Sequence, residues 1–187
     1  IALCILSAVN VGALNDLSEL ENICDLSVRA LEQIIDYQDY PVKAAEVSTK
    51  KRRSLGIGYI GLAHYLAKNG VKYSDPEAWA LVDRLTEAFQ YHLLRASCDI
   101  AMEKGKCDGF ERTKYADGLL PIDHYKKEVD EIVPHKQRMA WESLRKDIAK
   151  HGLRHSTLSA QMPSESSSVV SNETNGIEPP RALLAIK

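Results

Sequence analysis

Residues 153–170 read LRHSTLSAQMPSESSSVV. Leu153 to Met162 reads as a strand, and Pro163 stops its ladder because proline has no N–H to donate. Ser164, Glu165, Ser166 and Ser167 follow, and a short helix begins at once. Strand, tight turn and helix in direct succession are the grammar of an α/β protein. Working outward, Met139 to Lys150 form a helix closed by Gly152. Ser74-Asp75-Pro76 pairs a capping side chain with a proline just inside, and so opens a helix running to about Lys104. Its apolar stripe is Val82, Leu85, Phe89, Leu93, Ala96 and Ile100. Leu55 to Ile60 (LGIGYI) is a strand whose two glycines imply close backbone packing. Gly61 to Asn69 form a brief helix that stops at Gly70.

Residues 1–8 read as a buried strand, and 182–186 as a last one. Ser18 and Glu21 have capping-box spacing. They open a helix to about residue 37, with Leu20, Ile23, Cys24, Leu31, Ile34 and Ile35 on one face. The polar stretch DYQDYPVKAAEVSTKKRRS reads as a loop with room for a short helical turn. Residues 105–138 are irregular, with room for one short helix near 122–131. The class is therefore α/β and helix-rich, with helices outside a sheet or barrel. The three or four strands present cannot close a barrel.

The chain has 187 residues, 44% hydrophobic and 27% charged, with a net charge of −2. That is an ordinary soluble composition, and no basic field points to nucleic acid as a partner. No apolar run reaches the roughly 18 residues that a membrane span needs. The opening IALCILSAVNVGAL has no basic n-region and is not a signal peptide. Both ends stop inside apolar runs, which reads as a partial domain, residues 1–187, cut from a longer chain. Nothing indicates secretion, so a reducing, cytoplasmic setting is expected.

The turn at Pro163, Ser164, Glu165, Ser166 and Ser167 is the clearest candidate for chemistry. The first amides of a helix lack intrahelical acceptors and carry partial positive charge, so a diphosphate suits them. A serine-rich cap without any ligand explains the same residues, and Glu165 counts against a pure anion site. The four cysteines form no CxxC pair. Cys24 and Cys98 lie on apolar helix faces and read as core, and Cys107 shows no role. Cys4 sits on a strand; by itself it reads as a core filler sooner than as a redox thiol, whose partner would have to lie elsewhere. The six histidines show no metal spacing, so no metal site is expected. Lys50 to Arg53 reads as a solvated basic run, Arg181 as a salt-bridge residue, and Tyr37, Tyr40, Tyr59 and Tyr65 as packing residues.

The blocks IALCILSAVNVGAL, DYQDYP, KRRSLGIGYIGLAHYLAKNG, LPIDHYKK and LRHSTLSAQMPSESSSVVSNETNGIEPPR, in that order, closely resemble the large subunit of class I ribonucleoside-diphosphate reductases. The resemblance covers essentially the whole chain. It implies part of a ten-stranded α/β barrel and reduction of ribonucleoside diphosphates to 2′-deoxyribonucleoside diphosphates, the precursors of DNA. By resemblance, Cys4 is the second member of the redox cysteine pair. Pro163 to Ser167 are the loop that holds the substrate diphosphate.

No cofactor is implied on this segment. The resemblance implies a radical from a metal-containing small subunit, ATP and dNTP effectors, thioredoxin or glutaredoxin as reductant, and a large-subunit dimer. The thiyl-radical cysteine, the partner of Cys4, the effector region, the radical-passing tyrosines and the C-terminal cysteines fall outside the sequence. The segment is thus expected to be inactive alone. His155 stands where many relatives carry Asn, and Ser166 where a Thr is frequent. A scaffold that has lost catalysis, or one half of a split subunit, is the alternative. A nucleotide-sensing module ranks below both.

Overall fold

The computed structural model describes residues 3–134 and 136–182. Two parallel strands, β1 (Ile5–Asn10) and β2 (Leu55–Ile60), form its sheet, in register from Ile5 opposite Leu55 to Asn10 opposite Ile60. Between them come α1 (Glu19–Tyr37) and α2 (Lys43–Arg52). After β2 come α3 (Leu62–Lys68), α4 (Pro76–Lys104), α5 (Trp141–His151) and α6 (Glu165–Val170). Strand, helices and parallel strand in this order are the α/β pattern expected.

The sheet has two unlike faces because successive side chains alternate. Ile5, Val9, Leu55, Ile57 and Tyr59 belong to the helix-packed core. Tyr59 meets Phe89 of α4 edge-to-face at 5.4 Å and bonds Thr86 through its hydroxyl at 3.1 Å. The other face carries Leu6, Gly56 and Gly58. α1 buries Leu20, Cys24, Val28, Leu31 and Ile35, a continuous stripe at helical spacing, against α4. α4 buries Leu85, Phe89, Leu93, Ala96 and Ile100, while Val82 is half-buried.

Several expectations are corrected. Residues 1 and 2 lie outside the described residues; from residue 3 on, the strand is Ile5–Asn10, not 3–8, and Leu6 on its open face is 53% exposed. Ser18 makes no side-chain cap; its amide instead donates to Asp16 Oδ1 at 2.8 Å. The polar stretch after α1 is a ten-residue helix, α2. Glu46 accepts from Lys43 and Lys50, one turn away on either side, and only Ala45 and Thr49 are buried. The 122–131 region contains two 3-10 turns, Pro121–Asp123 and Lys127–Glu131. Ile34 and Tyr37 lie on the solvent side, Tyr37 with 92% exposure. The strand expected over 182–186 lies outside the described residues apart from Ala182.

Residues 153–162 run extended along β2 but make only one bridge, Ile57 with Ser159. The ladder breaks because Leu55 N–H goes to Thr157 O and Ile57 N–H to Leu158 O. One residue on this segment therefore matches two on β2. Farther on, Gln161 substitutes a side chain for the missing backbone pairing, donating from Nε2 to Tyr59 O at 2.6 Å.

A buried ionic cluster fixes the start of this segment. Glu32 of α1 accepts from Arg53 Nε at 2.7 Å, Arg154 Nε at 2.8 Å and His155 Nε2 at 3.0 Å. Arg53 also pairs with Asp36, so two carboxylates meet two guanidiniums. Arg53 is therefore buried, not solvated as its basic run implied. Ser97 Oγ lies 2.9 Å from His155 Nδ1 and accepts the His155 amide. Burial lowers the His155 pKa, so the neutral ring donates from Nε2 to Glu32 and accepts at Nδ1 from Ser97. Burial pushes Glu32 up, but bonds from His155, Arg53 and Arg154 outweigh it and hold the carboxyl at about 2.

Candidate active site

Cys4 precedes β1 and stands over the open face of the sheet. A Cβ added to Gly56 would lie 3.0 Å from Cys4 Sγ and 3.2 Å from Ala160 Cβ. One added to Gly58 would lie 2.4 Å from Ala160 O and 2.6 Å from Met162 Cε. Two residues along a strand are about 7 Å apart on one face. The thiol and the run-in to the serine turn therefore share a floor made by two glycines. Side chains at 56 and 58 would lift both off the sheet.

The Cys4 thiol is exposed, yet partial burial raises its pKa. It is thus held protonated at neutral pH, as a hydrogen donor more than a thiolate nucleophile. Cys24, Cys98 and Cys107 are buried; burial pushes Cys24 to about 12 and Cys98 to about 11.

The turn begins with Pro163, which is exposed, and Ser164, which is buried. Glu165, Ser166 and Ser167 are exposed on α6. The helical ladder starts with Ser168 N–H donating to Ser164 O at 2.9 Å, so the amides of 165–167 precede it and have no intrahelical acceptor. Ser167 Oγ bonds Ser164 O at 3.2 Å. Ser164 Oγ is turned away from the helix entrance, donating to Asn175 Oδ1 at 2.7 Å.

Sequence reasoning missed the groups that hold this turn: Asn175, Gln161 and Glu173. Glu173 and Asn175 lie in the polar string SNETNG, which reads equally well as an ordinary turn, and Gln161 lies in a stretch that reads as plain strand. A cavity of about 780 Å³ lies between α4 and the 121–133 turns, walled by Trp79, Val82, Ile122 and Ile132. It includes none of the expected site residues; of its carboxylates, Asp83 and Glu87 pair with Arg138, and Asp130 accepts from the Tyr125 hydroxyl. Among the described residues, no helix is long and apolar enough to cross a membrane.

Residues 1–187 match the family model of the ribonucleotide reductase barrel domain. The ribonucleoside-diphosphate reductase subunit alpha of Buchnera aphidicola subsp. Schizaphis graminum is 56% identical over 187 residues, 100% of this chain and 24% of the relative. That of Haemophilus influenzae is 58% identical over 187 residues, 100% of this chain and 25% of the relative. The subunit 1 alpha of Escherichia coli K12 is 56% identical over 153 residues, 82% of this chain and 20% of the relative. The chain thus spans about a quarter of the length of the curated relatives it matches. With the match running from its first residue to its last, the chain belongs to the ribonucleotide reductase barrel-domain family.

Proposed function

We propose that this chain forms the thiol and diphosphate-binding part of the active site of a ribonucleoside-diphosphate reductase large subunit. The reading is supported above all by the glycine floor of β2, over which the Cys4 thiol and the residues leading into the serine turn both stand. A nucleotide held by its diphosphate at residues 163–167 extends its ribose across that floor toward residue 4. The amides of 165–167 and the Ser166 hydroxyl supply donors to the anion, while the Ser167 hydroxyl braces the turn on Ser164 O.

The overall step balances as follows. The 2′ C–O bond breaks, and the hydroxyl leaves with a proton as water. A hydrogen takes its place at C2′. Two electrons come from a pair of thiols, Cys4 and a partner outside this sequence, which end joined as a disulfide. A protonated Cys4 suits this role, because the step consumes its proton. The reaction starts at a thiyl radical on another cysteine of the subunit, and the metal-containing small subunit supplies the radical. Thioredoxin or glutaredoxin restores the thiols. ATP and dNTP effectors act elsewhere on a dimeric, cytoplasmic large subunit.

The test is Cys4→Ser in the full-length large subunit, assayed with its small subunit. Multi-turnover deoxyribonucleotide formation is abolished while the circular dichroism spectrum is unchanged. Sustained turnover at the parent rate would remove Cys4 from the redox pair.

A further inference from the structure

We infer that Glu173, clasped by His64, is a positioning residue that holds the serine turn at its working place over β2. The inference rests on the assignment of residues 163–167 to the substrate diphosphate.

α6 has six residues, fewer than a helix needs to persist by itself in water. Its position must come from ties at its ends. At the front, Ser164 Oγ donates to Asn175 Oδ1. At the back, the chain turns through Asn172 at φ 52, and Glu173 N–H donates to Ser168 O at 2.8 Å. Thr174 O then accepts from Gly61 N–H at 3.0 Å. These bonds join the turn to itself and to the end of β2.

The Glu173 side chain adds the tie to α3. It is only 6% exposed, and its two carboxylate oxygens lie 2.9 and 3.0 Å from His64 Nδ1. It sits in a notch lined by Gly12, in the 3-10 turn after β1, and Gly61, just past the end of β2. A Cβ at Gly12 would lie 2.6 Å from Oε2, and one at Gly61 would lie 3.0 Å from it. Gly61 also has φ +80, which disfavours any other residue there. The carboxylate thus fills a space left by two glycines just past the strands and is met there by an imidazole from α3. The segment carrying it is continuous with the turn. Loss of the clasp frees the back end of α6 and so disorders the donors at 165–167. It leaves Cys4 and its floor in place. The affected quantity is substrate capture, not the chemical step.

The experiment uses the full-length subunit with its small subunit, and reads KM and kcat for a nucleoside diphosphate. Glu173→Ala raises KM on the order of tenfold, the scale of one charge-assisted hydrogen bond, and changes kcat less. Glu173→Gln recovers most of the loss, since its amide oxygen still accepts from the ring. His64→Ala matches Glu173→Ala, and the double variant is no worse than either. His64 is half-exposed, so its truncation tests the clasp even if Glu173→Ala fails to fold. An unchanged KM in His64→Ala, or a fall in kcat with KM unchanged, would overturn the inference. Ser166→Pro, which removes an amide and a hydroxyl of the turn but leaves the Ser164–Asn175 and Glu173–His64 ties, separates the two claims. If it raises KM while the clasp variants do not, only the clasp is wrong. If it leaves KM unchanged, the diphosphate assignment itself is wrong.

Discussion

At 1% exposure, Glu32 keeps its charge only because three donors surround it. Removing the carboxylate leaves two guanidiniums without their main partner in a dry site. Glu32→Ala therefore destabilises by about 3–5 kcal/mol, read by urea denaturation at neutral pH. The sign with pH follows from the depressed folded value near 2 against 4.5 for the free group. The Glu32 contribution is fully present above pH 4.5 and is lost as pH falls from there toward 2. A stability profile that stays flat over that window, or that keeps the parent's acid slope in Glu32→Gln, would contradict this assignment. The cluster was half legible in sequence: Glu32 falls on the α1 stripe between Val28 and Ile35, where a charge demands a partner. That Arg53, Arg154 and His155 are those partners was not legible, because they are brought in by tertiary folding from distant positions.

Among elements, β2 organises the site, and its two faces were read with unequal success. The apolar alternation of Leu55, Ile57 and Tyr59 marks the core face, and Gly56 and Gly58 mark close approach. What approaches could not be read, because the pairing of residues 157–162 depends on a broken ladder and on the Gln161 side chain. The two glycines predict different outcomes. Alanine at 56 meets the movable end of Leu6 and the Cys4 sulfur, whereas alanine at 58 meets the backbone carbonyl of Ala160. Gly58→Ala thus costs about 1–3 kcal/mol by overpacking and weakens substrate binding, with Gly56→Ala the milder change in stability. Thermal melts and KM measured on both variants check the order; equal stability of Gly58→Ala and the parent would contradict the close contact. α2 escaped the sequence reading for a related reason. Its ten residues bury only Ala45 and Thr49, so periodicity had almost nothing to act on, and the Glu46 pairs are visible only once a helix is assumed.

At the scale of the molecule, helices cover one side of the sheet, and the thiol, the glycines and the approach to the serine turn occupy the other. Leu3 and Leu6 are exposed on or beside that second side, where apolar side chains ordinarily seek cover. The α/β class, the long helices and the serine turn were all legible from local patterns. That Cys4 and residues 160–162 border the same β2 glycines was not, since more than 150 residues separate them in the chain. The resemblance to reductase large subunits implies that Cys4 and residues 163–167 face one substrate, and we propose the glycine floor as the surface they share. The most direct measurement is a crystal structure of the full-length large subunit with a bound nucleoside diphosphate. Diphosphate oxygens should lie about 3 Å from the amides of residues 165–167, with the ribose 2′ carbon turned toward Cys4 Sγ. A diphosphate bound away from this turn, or a ribose directed off the β2 floor, would contradict the account.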